Sequence, residues 1–233
     1  MKKFYKEVTV REESGGYTVC LDERPVETPA KNALLMPTPA LAEAVADEWR
    51  TDAEEIDPAA MILTRLANSA VDRVSAHRES VIDEIAGFAE TDLVCYRASD
   101  PPGLKDRQDR EWSPLLDWLK RDRGIDLQVT DSVLPITQNQ GDLDVLRDAV
   151  ASYDDYALSA LHMVTSACGS VVLGLATADG KIDGETAWAL SLLEETFQIN
   201  EWGEDPEATK RRENLRTDIT AAAGFLSLLR AGA

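Results

Sequence analysis

Ala33–Trp49, ALLMPTPALAEAVADEW, is where the chain changes character. Up to Met36 the apolar residues come in short extended runs. Thr38 then supplies a helix N-cap side chain, and Pro39 sits at the first helical position, where its fixed φ suits a helix and its missing N–H costs nothing. The periodicity predicts a helix from there through Trp49. Before the switch, FYKEVTV and YTVCL alternate apolar and polar residues around a Ser14-Gly15-Gly16 turn, and a second turn falls near Asp22–Pro25. This predicts three or four short strands, too few to be stable unless something packs on them. After the switch the chain reads as helical. The expected fold is therefore α+β: a small β-rich N-terminal domain over 1–56 and a larger multihelical domain over 57–233. One isolated strand near 127–134 is expected to return to the N-terminal sheet.

Further helices are expected from Asp57-Pro58 through Val74, near 77–88, over 104–120, and near 142–153, 154–178, 184–200 and 206–230. Trp112, Leu115, Leu116 and Leu119 share one side of the third. In the last, Leu215, Ile219, Ala222, Leu226 and Leu229 form a packing stripe. Tyr156–Ala178 has 23 residues and no Asp, Glu, Lys or Arg. Its length suits a bilayer span, but its hydroxyls, its His162 and its lack of a cationic flank point to a buried helix or helix pair. Ser166, Ser170, Gly174 and Ala178 recur every four residues. On a continuous helix they would make a seam for close helix approach.

The chain carries 43 acidic residues against 24 basic ones, a net charge of −19. A phosphate backbone would be repelled, which sets nucleic-acid binding aside. Cys20, Cys95 and Cys168 are widely spaced and form no C-x-x-C pair, so reduced buried thiols are expected. The opening MKKFYKEV enters a strand pattern directly, with neither a secretory apolar run nor a transit-peptide character. The expected setting is a bacterial cytoplasm, or the mitochondrial matrix if the source is eukaryotic.

Chemistry is sought and mostly not found. His77 and His162 are too few for a histidine-rich metal site, and His162 is expected to be a hydrogen-bonded core residue. No G-x-S-x-G elbow occurs. Gly174–Lys181 departs from a phosphate loop in spacing, and Ile182 stands where a hydroxyl should hold magnesium. ADGKIDG lacks most of the acids of a calcium loop and reads as a turn. The remaining candidate is EETFQINEWGED, Glu194–Asp205, five carboxylates around Phe197 and Trp202. Glu194 and Glu195 diverge by about 100° on a helix, whereas Glu194 and Glu201 share a face. Glu204 and Asp205 precede Pro206, where acids complement a helix N-terminus. The block has no adjacent nucleophile or phosphate cradle, and neither metal nor cofactor is expected.

RPVETPAKNALLMPTPALAEAVADEW (24–49), LTRLANSAVDRV (63–74), ETDLVCYRA (90–98), RQDREWSPLLDW (107–118) and EETFQINEWGED (194–205) occur in an order that resembles the ATP synthase assembly chaperones specific for the alpha subunit of the catalytic head. The resemblance extends over about 180 residues. It implies a non-enzymatic chaperone that binds the unassembled alpha subunit and prevents its aggregation until the beta subunit takes its place. Trp49, Trp112, Trp118, Phe197 and Trp202 are candidate apolar contacts. The family's functional acid is carried over to Glu194, Glu195 or Glu201, with the choice open. The alternatives are a hydrolase-like enzyme using Glu194 and Glu201, with Asp92, Cys95 and Tyr96 lining its pocket, or a generic protein-binding scaffold. A monomer is expected.

Overall fold

A computed structural model describes residues 2–51, 53–132, 134–203 and 206–231. Three strands, β1 (Val8–Glu13), β2 (Gly16–Leu21) and β3 (Arg24–Pro25), form an antiparallel meander in the order β1-β2-β3. Asp22 and Glu23 both take positive φ in the two-residue β2–β3 turn, a conformation that matches the right-handed twist of a hairpin. The Asp22 carboxylate holds that turn by accepting from the Lys6 and Glu7 amides at 3.0 and 2.9 Å. Tyr17 exchanges backbone hydrogen bonds with Met36 at 2.8 Å, so the LLM segment joins the sheet. Only glycine fits at position 16, because a Cβ there would lie 2.5 Å from the Met36 carbonyl oxygen.

The helix α1 (Pro39–Trp49) starts as the Thr38-Pro39 pair requires, with the Thr38 hydroxyl accepting from the Leu41 amide at 3.1 Å. Its buried Leu41, Ala42, Val45 and Ala46 pack on the sheet. The next helix, α2 (Ile62–Ser69), begins four residues later than Asp57-Pro58 suggested. Asp57 caps only a tight turn, accepting from the Ala59 amide. The true cap comes from another helix. The Glu48 carboxylate of α1 accepts from the amides of Leu63 and Thr64 at 2.8 and 2.7 Å and from the Thr64 hydroxyl. A single π turn, Ala70–Val74, extends α2.

Then follow α3 (Arg78–Gly87), α4 (Pro102–Arg123), α5 (Gln140–Ala151), α6 (Asp155–Cys168), α7 (Val171–Ala178), α8 (Gly184–Ser191), α9 (Leu193–Trp202) and α10 (Pro206–Arg230). The uncharged 156–178 stretch is a helix pair. Gly169 takes φ +65° and Ser170 caps α7, so the four-residue seam is interrupted at its second member. Close approach survives at one position, where a Cβ on Gly174 would lie 2.3 Å from Thr165 Oγ1 of α6. Among the described residues no helix is long and apolar enough to cross a membrane. The described residues of 127–134 do not join the sheet. They make one parallel bridge, Thr130 to Tyr96, inside the helical region.

The buried apolar side chains form one cluster reaching from Val19 of β2 through Leu158 of α6 to Phe225 of α10. Polar ties cross the same span. Tyr156 donates to the Leu35 carbonyl at 2.6 Å, and Thr38 donates to that of Leu228 at 3.2 Å. All three cysteines are buried and unpaired, and burial pushes the Cys95 and Cys168 thiols up to about 12.

Candidate functional site

The 184–200 segment is two helices. Leu192 leaves helical geometry, and the break turns α9 so that it lies against α4. The divergence expected of Glu194 and Glu195 then puts them in different structural roles. Glu194 accepts from Gln108 Nε2 of α4 at 2.5 Å, and Gln108 Oε1 in turn accepts from the Ala98 amide at 2.7 Å. Glu195 faces α10, where Arg211 pairs with it and Arg212 Nη1 lies 3.8 Å away. Arg212 and Arg216 both lie over the Trp188 ring of α8, at 5.6 and 5.3 Å from its centroid, and Arg216 also pairs with Glu185. The acids of the first turn of α9 are thereby clamped to α4 on one side and to α10 on the other.

Phe197 is half-buried and lies beside the start of α4, its Cε2 4.0 Å from where a Gly103 Cβ would be. Glu201, two turns beyond Glu194, is exposed. Trp202 ends α9, and its side chain lies outside the described residues, as do Glu204 and Asp205. Trp112 is wholly buried and donates from Nε1 to the Leu190 carbonyl at 3.1 Å. It therefore supports this face from beneath and is not a surface contact, because its place on the α4 stripe turns it inward. Trp118 is buried as well. Trp49 is half-buried and lines no part of the cleft beside α9, with its ring edge-on to Tyr5 at 6.0 Å.

Several residues that build this region are not in the sequence-based set. Arg97 is 1% exposed along its side chain, lies 5.1 Å from the Trp112 ring centroid, and pairs with Asp109 at 2.9 Å. Gln108 has a legible signal: it is the one polar member of the α4 stripe Leu104, Gln108, Trp112, Leu115, Leu119. The Arg211, Arg212 and Trp188 contacts have none, since they depend on how α8, α9 and α10 pack.

An open cleft of about 420 Å³ beside α9 is lined by Glu194, Glu195, Gln198, Arg211, Ser191 and the leucines at 93 and 192. Two carboxylates thus share one cleft, but each is engaged structurally, and the Ser191 hydroxyl donates to the Trp188 carbonyl at 2.9 Å. No group with the geometry of a nucleophile and its base appears there. Asp92, Cys95 and Tyr96 are not among the residues that line this cleft. Asp92 is sealed in the core, accepting from the Val94 amide at 3.1 Å and from the Val172 amide at the start of α7 at 3.2 Å. His162 is not a core residue. It is partly exposed and pairs with Glu84 at 3.0 Å, which Arg73 also holds. ADGKIDG is a turn, with Asp183 capping α8 and Asp179 bound by Arg123 and Tyr153. Among the described residues no cluster of His, Cys, Asp and Glu could hold a metal.

The family model described as ATP12 chaperone protein matches residues 2–120. The mitochondrial protein atp12 of Schizosaccharomyces pombe is 23% identical over 235 residues, covering 95% of this chain and 81% of the relative. Among solved structures, Atp12 from Paracoccus denitrificans superposes with a TM-score of 0.93 at 41% identity, over 97% of both chains. An aspartate-to-lysine mutant of that Atp12p matches with the same figures.

Proposed function

This chain belongs to the ATP12 chaperone family of ATP synthase assembly chaperones, and from that premise we propose that it holds the unassembled alpha subunit of the catalytic head until the beta subunit takes its place. The α9 face is the contact, formed by Phe197 with Glu194, Glu195 and Glu201, with Trp112 as its buried support; Trp202, at the end of the same helix, is proposed as a further contact residue. The observation that carries this reading is that Glu194 and Glu195 are tied to neighbouring helices while Phe197 is left half-exposed beside them and Glu201 is exposed. A subunit without its partner exposes apolar interface that would self-associate. A modest aromatic contact with a charged rim covers such a surface yet releases it. The anchor supplies affinity, and the rim sets encounter rate and partner choice. The role is non-enzymatic, and it is exercised wherever the catalytic head is assembled.

Glu201 is the residue to perturb, because it is exposed and Glu194 is not free of Gln108. Glu201→Lys should weaken binding to purified alpha subunit by about tenfold at low salt, chiefly through the association rate, and by less at high salt. Pull-downs from the organism's own extract should yield alpha subunit without beta. Unchanged affinity and salt dependence in the variant would remove α9 from the contact. Absence of alpha subunit from the pull-down would remove the client assignment itself.

A further inference from the structure

Away from α9, and sharing no residue with its cleft, two depressions meet beside Trp49. One, of about 280 Å³, runs between α2 and the loop after β3, and its wall is largely apolar: Val26, Pro29, Trp49, Ile56, Pro58 and Met61. The other, of about 660 Å³, continues past Leu21 and Pro25 to Phe4. Phe4 is 69% exposed, a large apolar side chain left in solvent at the end of an apolar channel. Val26, Glu27, Lys31 and Trp49 line both, so the two form one groove.

We propose that this groove takes an extended segment of a client protein in which an apolar residue is flanked by acidic ones. Resting on the reading above, the client is the unassembled alpha subunit, held here at a second point.

Charge selects the flanking residues. Among the described residues that line it, Arg24, Lys31 and Arg65 stand against one acid, Glu27, and Glu27 is already paired with Lys31 at 3.7 Å. In a chain of net charge −19 this cationic rim runs against the composition. It suits an acidic segment, and the overall charge opposes a second copy of this chain as the occupant. Polarity selects an extended backbone. Two residues of the groove wall hold buried polar atoms without partners among the described residues, Trp49 Nε1 and Asn68 Oδ1. A peptide group offers one acceptor and one donor, the complement of that pair. The apolar wall then receives the side chain between them, as in other peptide grooves where backbone bonds give affinity and pockets give choice.

The test titrates purified alpha subunit against the wild-type chain, the double variant Arg24→Glu with Lys31→Glu, and Trp49→Phe, with melting temperatures taken in parallel. Hydrogen exchange is followed at 26–31 and 61–68. The charge reversal should weaken binding about tenfold, less so at high salt. Trp49→Phe keeps an aromatic ring against Tyr5 but removes Nε1, and should weaken binding several-fold with the melting temperature little changed. Both backbone segments should exchange more slowly in the complex. If the wild type binds alpha subunit while both variants bind as tightly and exchange is unaltered, this inference falls and the client reading stands. If the wild type does not bind alpha subunit, the client reading falls and this inference with it. Protection of the same segments by concentrating the chain alone, with dimers in sedimentation, would assign the groove to a second copy and overturn the proposal.

Discussion

Replacing Asp92 with asparagine, and following both chains through a pH series, isolates what one buried charge costs this fold. Asp92 is fully buried, and desolvation raises its carboxyl from 3.8 to about 6, against the opposing help of Ser170 and the amides of Val172, Val94 and Val171. The neighbouring thiols of Cys95 and Cys168 stay neutral throughout, because their own values are pushed up to about 12. Between roughly 4 and 6 the folded chain binds a proton at Asp92 that the unfolded chain has released. Stability therefore falls as pH rises through that window, the reverse of an ordinary paired carboxylate. A displacement of about two units corresponds to about 3 kcal/mol. Asparagine keeps one acceptor oxygen and loses the other, so it shifts stability by a constant that does not titrate. Urea unfolding of the two chains at steps from pH 7.5 to 4.5 should show the wild type gaining on Asp92→Asn by about 2 kcal/mol as the pH falls, the rest of the linkage lying below that range. Other carboxylates cancel in the difference. A difference that is flat within about 1 kcal/mol, or that grows toward high pH, would refute the account of Asp92 as a desolvated cap.

Three further outcomes follow from local geometry. Glu48→Ala strips the start of α2 of its acceptor for two amides and a hydroxyl, and should cost about 3 kcal/mol, lowering the calorimetric melting temperature by about 6–10 °C. A loss below about 1 kcal/mol would mean that solvent caps α2 equally well. Gly184→Ala places a Cβ 2.8 Å from Thr220 Cα and 2.9 Å from Ala223 Cβ of α10, neither of which is the end of a flexible chain, and should destabilise by about 1–3 kcal/mol. Gly87→Ala, which meets nothing within 4 Å at the end of α3, should instead be neutral or stabilise by about 0.5 kcal/mol in the same denaturation assay.

Local chemistry determined a large part of this protein. Thr38-Pro39 marks the start of α1 because cap and first-turn preferences act within three residues. The alternation of β1 and β2 and the stripe of α10 follow from periods of 2 and 3.6, which hold whatever packs against them. The divergence of Glu194 and Glu195 is a consequence of helix geometry alone, and the ordered motifs from Arg24 to Asp205 suffice to identify the family.

What the tertiary structure decided are the contacts between residues far apart in the chain. Asp57-Pro58 has the form of a helix start, yet α2 waits for Ile62 because the carboxylate that caps it comes from Glu48 on a different helix. The 156–178 stretch has no charge to interrupt it, and it breaks where Gly169 can take φ +65° and let α7 fold back along α6. The 127–134 segment finds Tyr96 instead of the sheet. Most consequentially, an aromatic side chain has the same apolar character on either side of a surface. Only packing made Trp112 a buried strut over Leu190 and left Phe197 half in solvent. Which acids are free follows the same logic. Glu194 and Glu195 are engaged because α4 and α10 bring Gln108 and Arg211 to them, and those partners lie 86 and 16 residues away along the chain.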